Sequence, residues 1–273
     1  MAPVSRCAVR FEELGPPWIR PFLIESLWSL ADSFSPMLRE SSLASRYRSI
    51  TYHRRGYEGS TPVAAPIPVD DHATDCASLL RHLNVPKAHV VGHSFGGVIA
   101  LSLAMVAPQL VHTVTLMEPA LVLGVSGPGY RIAIAQSLAR YRAGDTDGTV
   151  DEFLRARFGV QYREPLERVL PGGFAQAVAN AATAFAVDMP AAADFQFGEA
   201  QARRIKQPAL IVLGAKSDAL WARFGETHRL LSGWLPDVAP CVLQDAAHGM
   251  QLQNPRDMAT ILDAFLRNHP IKA

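Results

Sequence analysis

A five-residue corner constrains this chain more than any other feature. Gly92-His93-Ser94-Phe95-Gly96 closes an apolar run, AHVVGH, and opens an Ala-rich stretch with helical spacing, FGGVIALSLAMV. A G-x-S-x-G pattern at such a junction needs a sharp strand-to-helix turn, with the serine in a strained conformation that projects its hydroxyl outward. Glycines two residues before and after let the neighbouring backbone close in without a Cβ clash. The helix N-terminus then aims amide groups and the positive end of its dipole at the serine. The corner predicts Ser94 as a nucleophile and the Phe95 amide as a donor to a developing oxyanion.

The corner sits in an alternating chain. FLIES (22–26), RSITYH (48–53), AHVVGH, VHTVTLME, PALIVLG (208–214) and APCVLQD (239–245) read as strands; RCAVRFEEL reads as a weaker early one. Between them, SPMLRESSLASRY predicts a helix with Ser35 as N-cap and Pro36 at its first position. DDHATDCASLLRHLN and PRDMATILDAFLRNH carry apolar residues at helical spacing. Strands alternating with helices predict a mostly parallel sheet covered on both faces. The alternation stops between residues 123 and 203, where only helical patterns occur, among them YRIAIAQSLARYRAG and FAQAVANAATAFAVD. Residues 1–122 and 204–273 are expected to form the core, and 123–203 a helical cap. GDTDG (144–148) reads as a turn between two cap helices, since it lacks the remaining ligands of a calcium loop.

A nucleophilic serine needs a base, and the base an orienting carboxylate. Of nine histidines, His248 has the best address, just after a predicted strand in LQDAAHGMQLQNP. Two acids compete. Asp218 follows the strand after the cap and is favoured; Glu118, in TLMEPAL, follows the strand before it. Asp218 would otherwise serve as a helix N-cap, and Glu118 as an anchor beside Pro119.

Lys and Arg total 26 against 25 Asp and Glu, a balance that gives no electrostatic footprint for nucleic acid or an anionic membrane. No stretch approaches the ~18 apolar residues of a membrane span. Three cysteines, Cys7, Cys76 and Cys241, an odd number without close spacing, argue against a disulfide framework or a zinc site. With no apolar leader in MAPVSRCAVRFEELG, a cytoplasmic location is expected. The expected partners are a small-molecule substrate and, at most, a second copy of the chain.

The motifs GHSFGG, GAKSD and AAHGMQLQNP together resemble the α/β-hydrolase fold family over nearly the whole chain, in the order Ser94, acid, His248. The resemblance implies an eight-stranded, mostly parallel sheet, helices on both faces and a helical cap over the active site. In YHRRGYEGST it implies structural roles for Arg54, Arg55 and Gly56. Two positions depart from the pattern. Members usually carry His-Gly after the strand FLIES, where this chain has Glu25-Ser26, followed by Leu27-Trp28. Ser26 or Leu27 would complete the oxyanion hole there, and a carboxylate at Glu25 is unhelpful unless it points away. The family acid usually stands at the position of Ser217, one before Asp218, which keeps Glu118 in contention; an acid after the preceding strand is known among such hydrolases.

The chemistry this implies is acyl transfer to water without metal or organic cofactor. Serine at the elbow argues against the related epoxide hydrolases and haloalkane dehalogenases, which use Asp. Tyr130, Tyr141, Phe153, Phe158, Phe174, Phe185, Phe195 and Phe197 make the cap aromatic-rich. Most are expected to pack its own core; the rest, with Trp28 and His93, would face an apolar pocket for a medium-sized, uncharged, hydrophobic ester or lactone. Two other readings stand beside the serine hydrolase: another enzyme of the same fold (carbon–carbon bond hydrolase, perhydrolase or lyase), and a non-catalytic small-molecule-binding protein with a damaged oxyanion hole.

Overall fold

The structure, a computed structural model, describes residues 8–14, 21–24 and 33–271. Seven strands form one sheet in the order β1-β3-β2-β4-β5-β6-β7. They are β1 (Arg10–Leu14), β2 (Pro21–Ile24), β3 (Ser49–His53), β4 (Ala88–His93), β5 (Val111–Met117), β6 (Ala209–Gly214) and β7 (Val238–Leu243). β1 runs antiparallel to β3 and every other pairing is parallel. The described residues thus hold seven strands where eight were expected, because a single antiparallel strand precedes β2 and forms the sheet edge.

Alternation within the central strands explains the layers. Val90, Val114 and Ile211 point into one apolar cluster, and Val91, Met117 and Val212 into a second on the opposite face. A sheet apolar on both faces must be covered on both. On the first face lie α1 (Val69–His82) and α2 (Phe95–Val106). α2 is buried from Phe95 to Ala104, as a helix without a polar side must be.

The expected helix over 35–47 breaks into two single turns, Ser35–Leu38 and Ser41–Ala44, with Phe34 rather than Ser35 at the cap. Glu40 between them is extended, at ψ 135°, which turns both Met37 and Leu43 inward.

Between β5 and β6 the chain is helical. α3 (Gly127–Arg142), α4 (Thr146–Phe158), α5 (Arg163–Val169) and α6 (Gly173–Ala179) lead to a π-helical turn at Ala184–Asp188, then to Met189–Asp194 and a final helical turn at Glu199–Ala202. Asp145 in the GDTDG turn caps α4 by accepting from Gly148 N at 3.1 Å. Phe153 and Phe185 are buried and meet edge to face. After β6 come α7 (Arg223–Trp234) and, after β7, α8 (Pro255–Asn268). α8 buries Met258, Ala259, Leu262, Phe265 and Leu266, the stripe its spacing predicts, in the second cluster.

One buried ion pair ties the helical insertion to the sheet. Arg54, just past β3, meets Asp188 of the π-turn at 2.8 Å, and Tyr57 donates to the same carboxylate at 2.7 Å. The Arg54 guanidinium also lies 5.0 Å from the centre of the Phe95 ring. Arg54 is structural here, as the resemblance implied.

Candidate active site

The site is built at the carboxyl ends of β4 to β7, where open α/β sheets leave a crevice. β4 and β5 end in register, His93 opposite Met117. The next residue on each strand turns left-handed: Ser94 at φ 53°, Glu118 at φ 45°. Such angles are costly for residues with a Cβ and cluster where geometry is functional. The strain at Ser94 is held by main-chain bonds: Ser94 N donates to Met117 O at 3.0 Å and Ala120 N to Ser94 O at 2.9 Å. A Cβ on Gly92 would collide with the Gly96 carbonyl, so the first motif glycine is a packing requirement. Phe95 is the first residue of α2, so its amide has no partner within the helix.

Glu118 is buried, 4 % exposed, and both carboxylate oxygens are engaged. Oε1 accepts from Gly214 N at 2.8 Å, and Oε2 accepts from His248 Nδ1–H at 2.7 Å. Burial raises the Glu118 pKa to about 7 against the pull of the Gly214 amide. His248 is pushed the other way, well below the ordinary histidine range, first by burial and then by Arg157 and Arg223. Its ring stacks on Phe224 at 4.7 Å. The Nδ1 bond fixes the tautomer and leaves Nε2 as the basic nitrogen.

His93 joins the elbow to the histidine loop. Its Nε2–H donates to the His248 carbonyl at 2.7 Å, and its Nδ1 accepts from Gln251 Nε2 at 3.2 Å. Burial holds it neutral, down to about 3, so this donor–acceptor arrangement is fixed. Among the described residues no group of three His, Cys, Asp or Glu side chains could hold a metal ion. No helix among them is long and apolar enough to cross a membrane.

A sequence profile described as alpha/beta hydrolase fold matches residues 28–255. The chain belongs to that family. As an alpha/beta hydrolase fold protein it is 26% identical, over 236 residues, to the dihydrolipoyllysine-residue acetyltransferase component of an acetoin cleaving system from Pseudomonas putida. That match covers 85% of this chain but only 60% of the relative's length. Among solved structures it superposes on the enol-lactonase from Burkholderia xenovorans LB400 with a TM-score of 0.81 at 21% identity, covering 97% of this chain and 98% of the other. A thermophilic esterase from Thermogutta terrifontis gives 0.79 at 17% identity, covering 97% and 95%. At these identities the structural likeness speaks for the fold.

Against this family frame the sequence reading needs two corrections. Asp218, the favoured acid, does not meet His248. It is exposed, and its Oδ1 accepts from Gly225 N at 3.2 Å, satisfying an amide in the first turn of α7. The histidine's carboxylate partner is Glu118. His93, expected to face the pocket, has both ring nitrogens committed within the protein. Glu25, Ser26, Leu27 and Trp28 lie outside the described residues.

The sequence reading missed two cations. Arg157 and Arg223 are 6 % and 3 % exposed and lie close enough to His248 to depress its pKa. Burial lowers both of their own pKa values, Arg157 to about 9. A signal for Arg157 existed: it continues the buried face of α4 through Val150, Phe153 and Leu154 at helical spacing.

Proposed function

We propose that this chain is a serine hydrolase that cleaves a carboxylic ester or lactone of medium size through an acyl-enzyme on Ser94. The observation that carries the proposal is the buried Glu118–His248 hydrogen bond, set on strands in register with the strained Ser94 corner. The enol-lactonase and esterase among its structural relatives support the substrate class.

In this reading, Ser94 Oγ attacks the scissile carbonyl carbon while His248 Nε2 takes the hydroxyl proton. Glu118 keeps Nδ1 protonated and stabilises the imidazolium that forms. The Phe95 amide donates to the carbonyl oxygen as it becomes an oxyanion. The intermediate collapses, the C–O bond breaks, and His248 gives its proton to the leaving alkoxide. Water then attacks the acyl carbon, losing a proton to His248, and Ser94 leaves with that proton restored. The helical insertion over residues 123–203 caps the site and selects the substrate.

The test is labelling with a fluorophosphonate probe and mass mapping of the modified peptide. The probe needs an activated serine and a working oxyanion hole together. Rapid adduct formation on Ser94 is expected. A folded protein that forms no adduct would overturn the proposal and favour a binding role.

A further inference from the structure

Arg157, in the last turn of α4, and Arg223, the first residue of α7, come from different parts of the chain and converge on one indole. Their guanidinium carbons lie 5.4 and 5.2 Å from the Trp221 ring centre. Arg157 also sits over Phe153 at 3.2 Å, and Arg223 over Tyr130 at 3.9 Å. Among the described residues neither has a carboxylate within ion-pair distance. Arg157 Nη1 donates to Phe153 O at 3.1 Å and the same guanidinium also meets the Tyr130 side chain, while Arg223 Nη2 reaches Leu121 O at 3.4 Å. Arg223 Nε is buried with no hydrogen-bond partner.

Both arginines adjoin the base. His248 N donates to the Arg157 carbonyl at 3.3 Å, and Phe224, next to Arg223, stacks on the His248 ring. Two like charges in an aromatic enclosure repel each other and forgo water; ring faces offset only part of that cost. Among the described residues Glu118 is the carboxylate nearest them, and both of its oxygens are occupied by Gly214 and His248. With His93 and His248 neutral, the two guanidinium groups outnumber the carboxylates around them among the described residues. Guanidinium forks are built to bind carboxylates.

We infer that Arg157 and Arg223 receive a carboxylate on the substrate, so that the preferred substrate is an apolar ester or lactone carrying a free acid near the scissile carbonyl. This rests on the hydrolase reading and replaces the uncharged substrate expected from the cap's aromatic content. The arginines act on binding: the carboxylate anchors one end of the substrate while its carbonyl lies at Ser94.

The test compares two substrates on the purified protein, mono-p-nitrophenyl glutarate and its methyl-capped counterpart, methyl p-nitrophenyl glutarate. The expected result is a kcat/KM preference for the free acid of roughly 30-fold or more, carried by KM. In Arg157→Met and Arg223→Met that ratio falls toward one. A wild-type protein with no preference overturns the inference. So do variants that lose activity on both esters in equal proportion, since a structural role or tuning of His248 would do that. A binding readout separates this from failure of the hydrolase reading. Hexanoate, unlike hexanol, raises the Tm of the wild-type protein, whether or not Ser94 takes the fluorophosphonate. Absence of that shift counts against the anion site without using any variant.

Discussion

His93 Nε2–H holds the main-chain carbonyl of His248 at 2.7 Å, so the residue before Ser94 positions the loop that carries His248. This is a positioning bond, made to backbone, although the centres of the two imidazole rings lie 4.6 Å apart. His93→Leu keeps the ring's bulk approximately and removes the donor. It is expected to lower kcat by about 10²-fold with a smaller change in KM, as displacing a catalytic group by about 1 Å does. His93→Gln, which retains a donor, should recover part of the loss. Steady-state kinetics on both variants decide the matter.

The choice of acid has a sharp test. Glu118→Gln removes the acceptor for Nδ1–H and is expected to cost about 10⁴-fold in kcat, as loss of a triad carboxylate does. Asp218→Ala is expected to leave kcat within a few-fold and to cost about 1 kcal/mol of stability, because it leaves a helix-end amide uncapped. Reversed effects in the two variants would return Asp218 to the triad.

The pH profile follows from the same pair. The working form has Glu118 ionised and His248 neutral. Burial holds Glu118 protonated up to about 7, so activity rises with pH through that value. Below it, log kcat/KM should fall with unit slope, as one proton returns to the buried pair. Among the described residues the titratable groups facing the pair are His93, His228, Arg223 and Arg157, of which the histidines stay neutral and the arginines charged across this range. A limb at the ordinary carboxylate position, near 4, would contradict this.

Asp188 offers a stability test away from the chemistry. Asp188→Asn leaves the Arg54 charge buried without its carboxylate, which costs about 3–5 kcal/mol. For a chain of this size that corresponds to a Tm drop of roughly 10 °C, measurable by calorimetry. Arg54→Met with Asp188→Leu should recover much of the loss, since an apolar pair has no charge to strand.

Much of this fold was legible because its signals are local. The elbow at Gly92 to Gly96, the strands around it and the stripe of α8 all follow from spacing and steric demand. The carboxylate partner of His248 was not, because Glu118 and Asp218 both follow strands, and the choice turns on register between β5 and β6, which no local pattern encodes. The two arginines escaped for a related reason. Arg157 and Arg223 lie 66 positions apart in the chain, and only folding brings both to Trp221. The break at Glu40 inside a helical pattern shows tertiary burial of Met37 and Leu43 overriding propensity.

Placing the acid after β5 also divides the catalytic parts unevenly along the chain. In the proposed mechanism, Ser94 and Glu118 belong to a single strand–helix–strand module, β4 to β5, while His248 comes alone from the C-terminal portion. A cut within the helical insertion would therefore yield one fragment holding Ser94 and Glu118 and another holding His248. Neither fragment could turn over substrate by itself, and reassembly would restore the missing proton carrier in one step. On the proposed mechanism the insertion would be the seam between the two halves of a complementation pair.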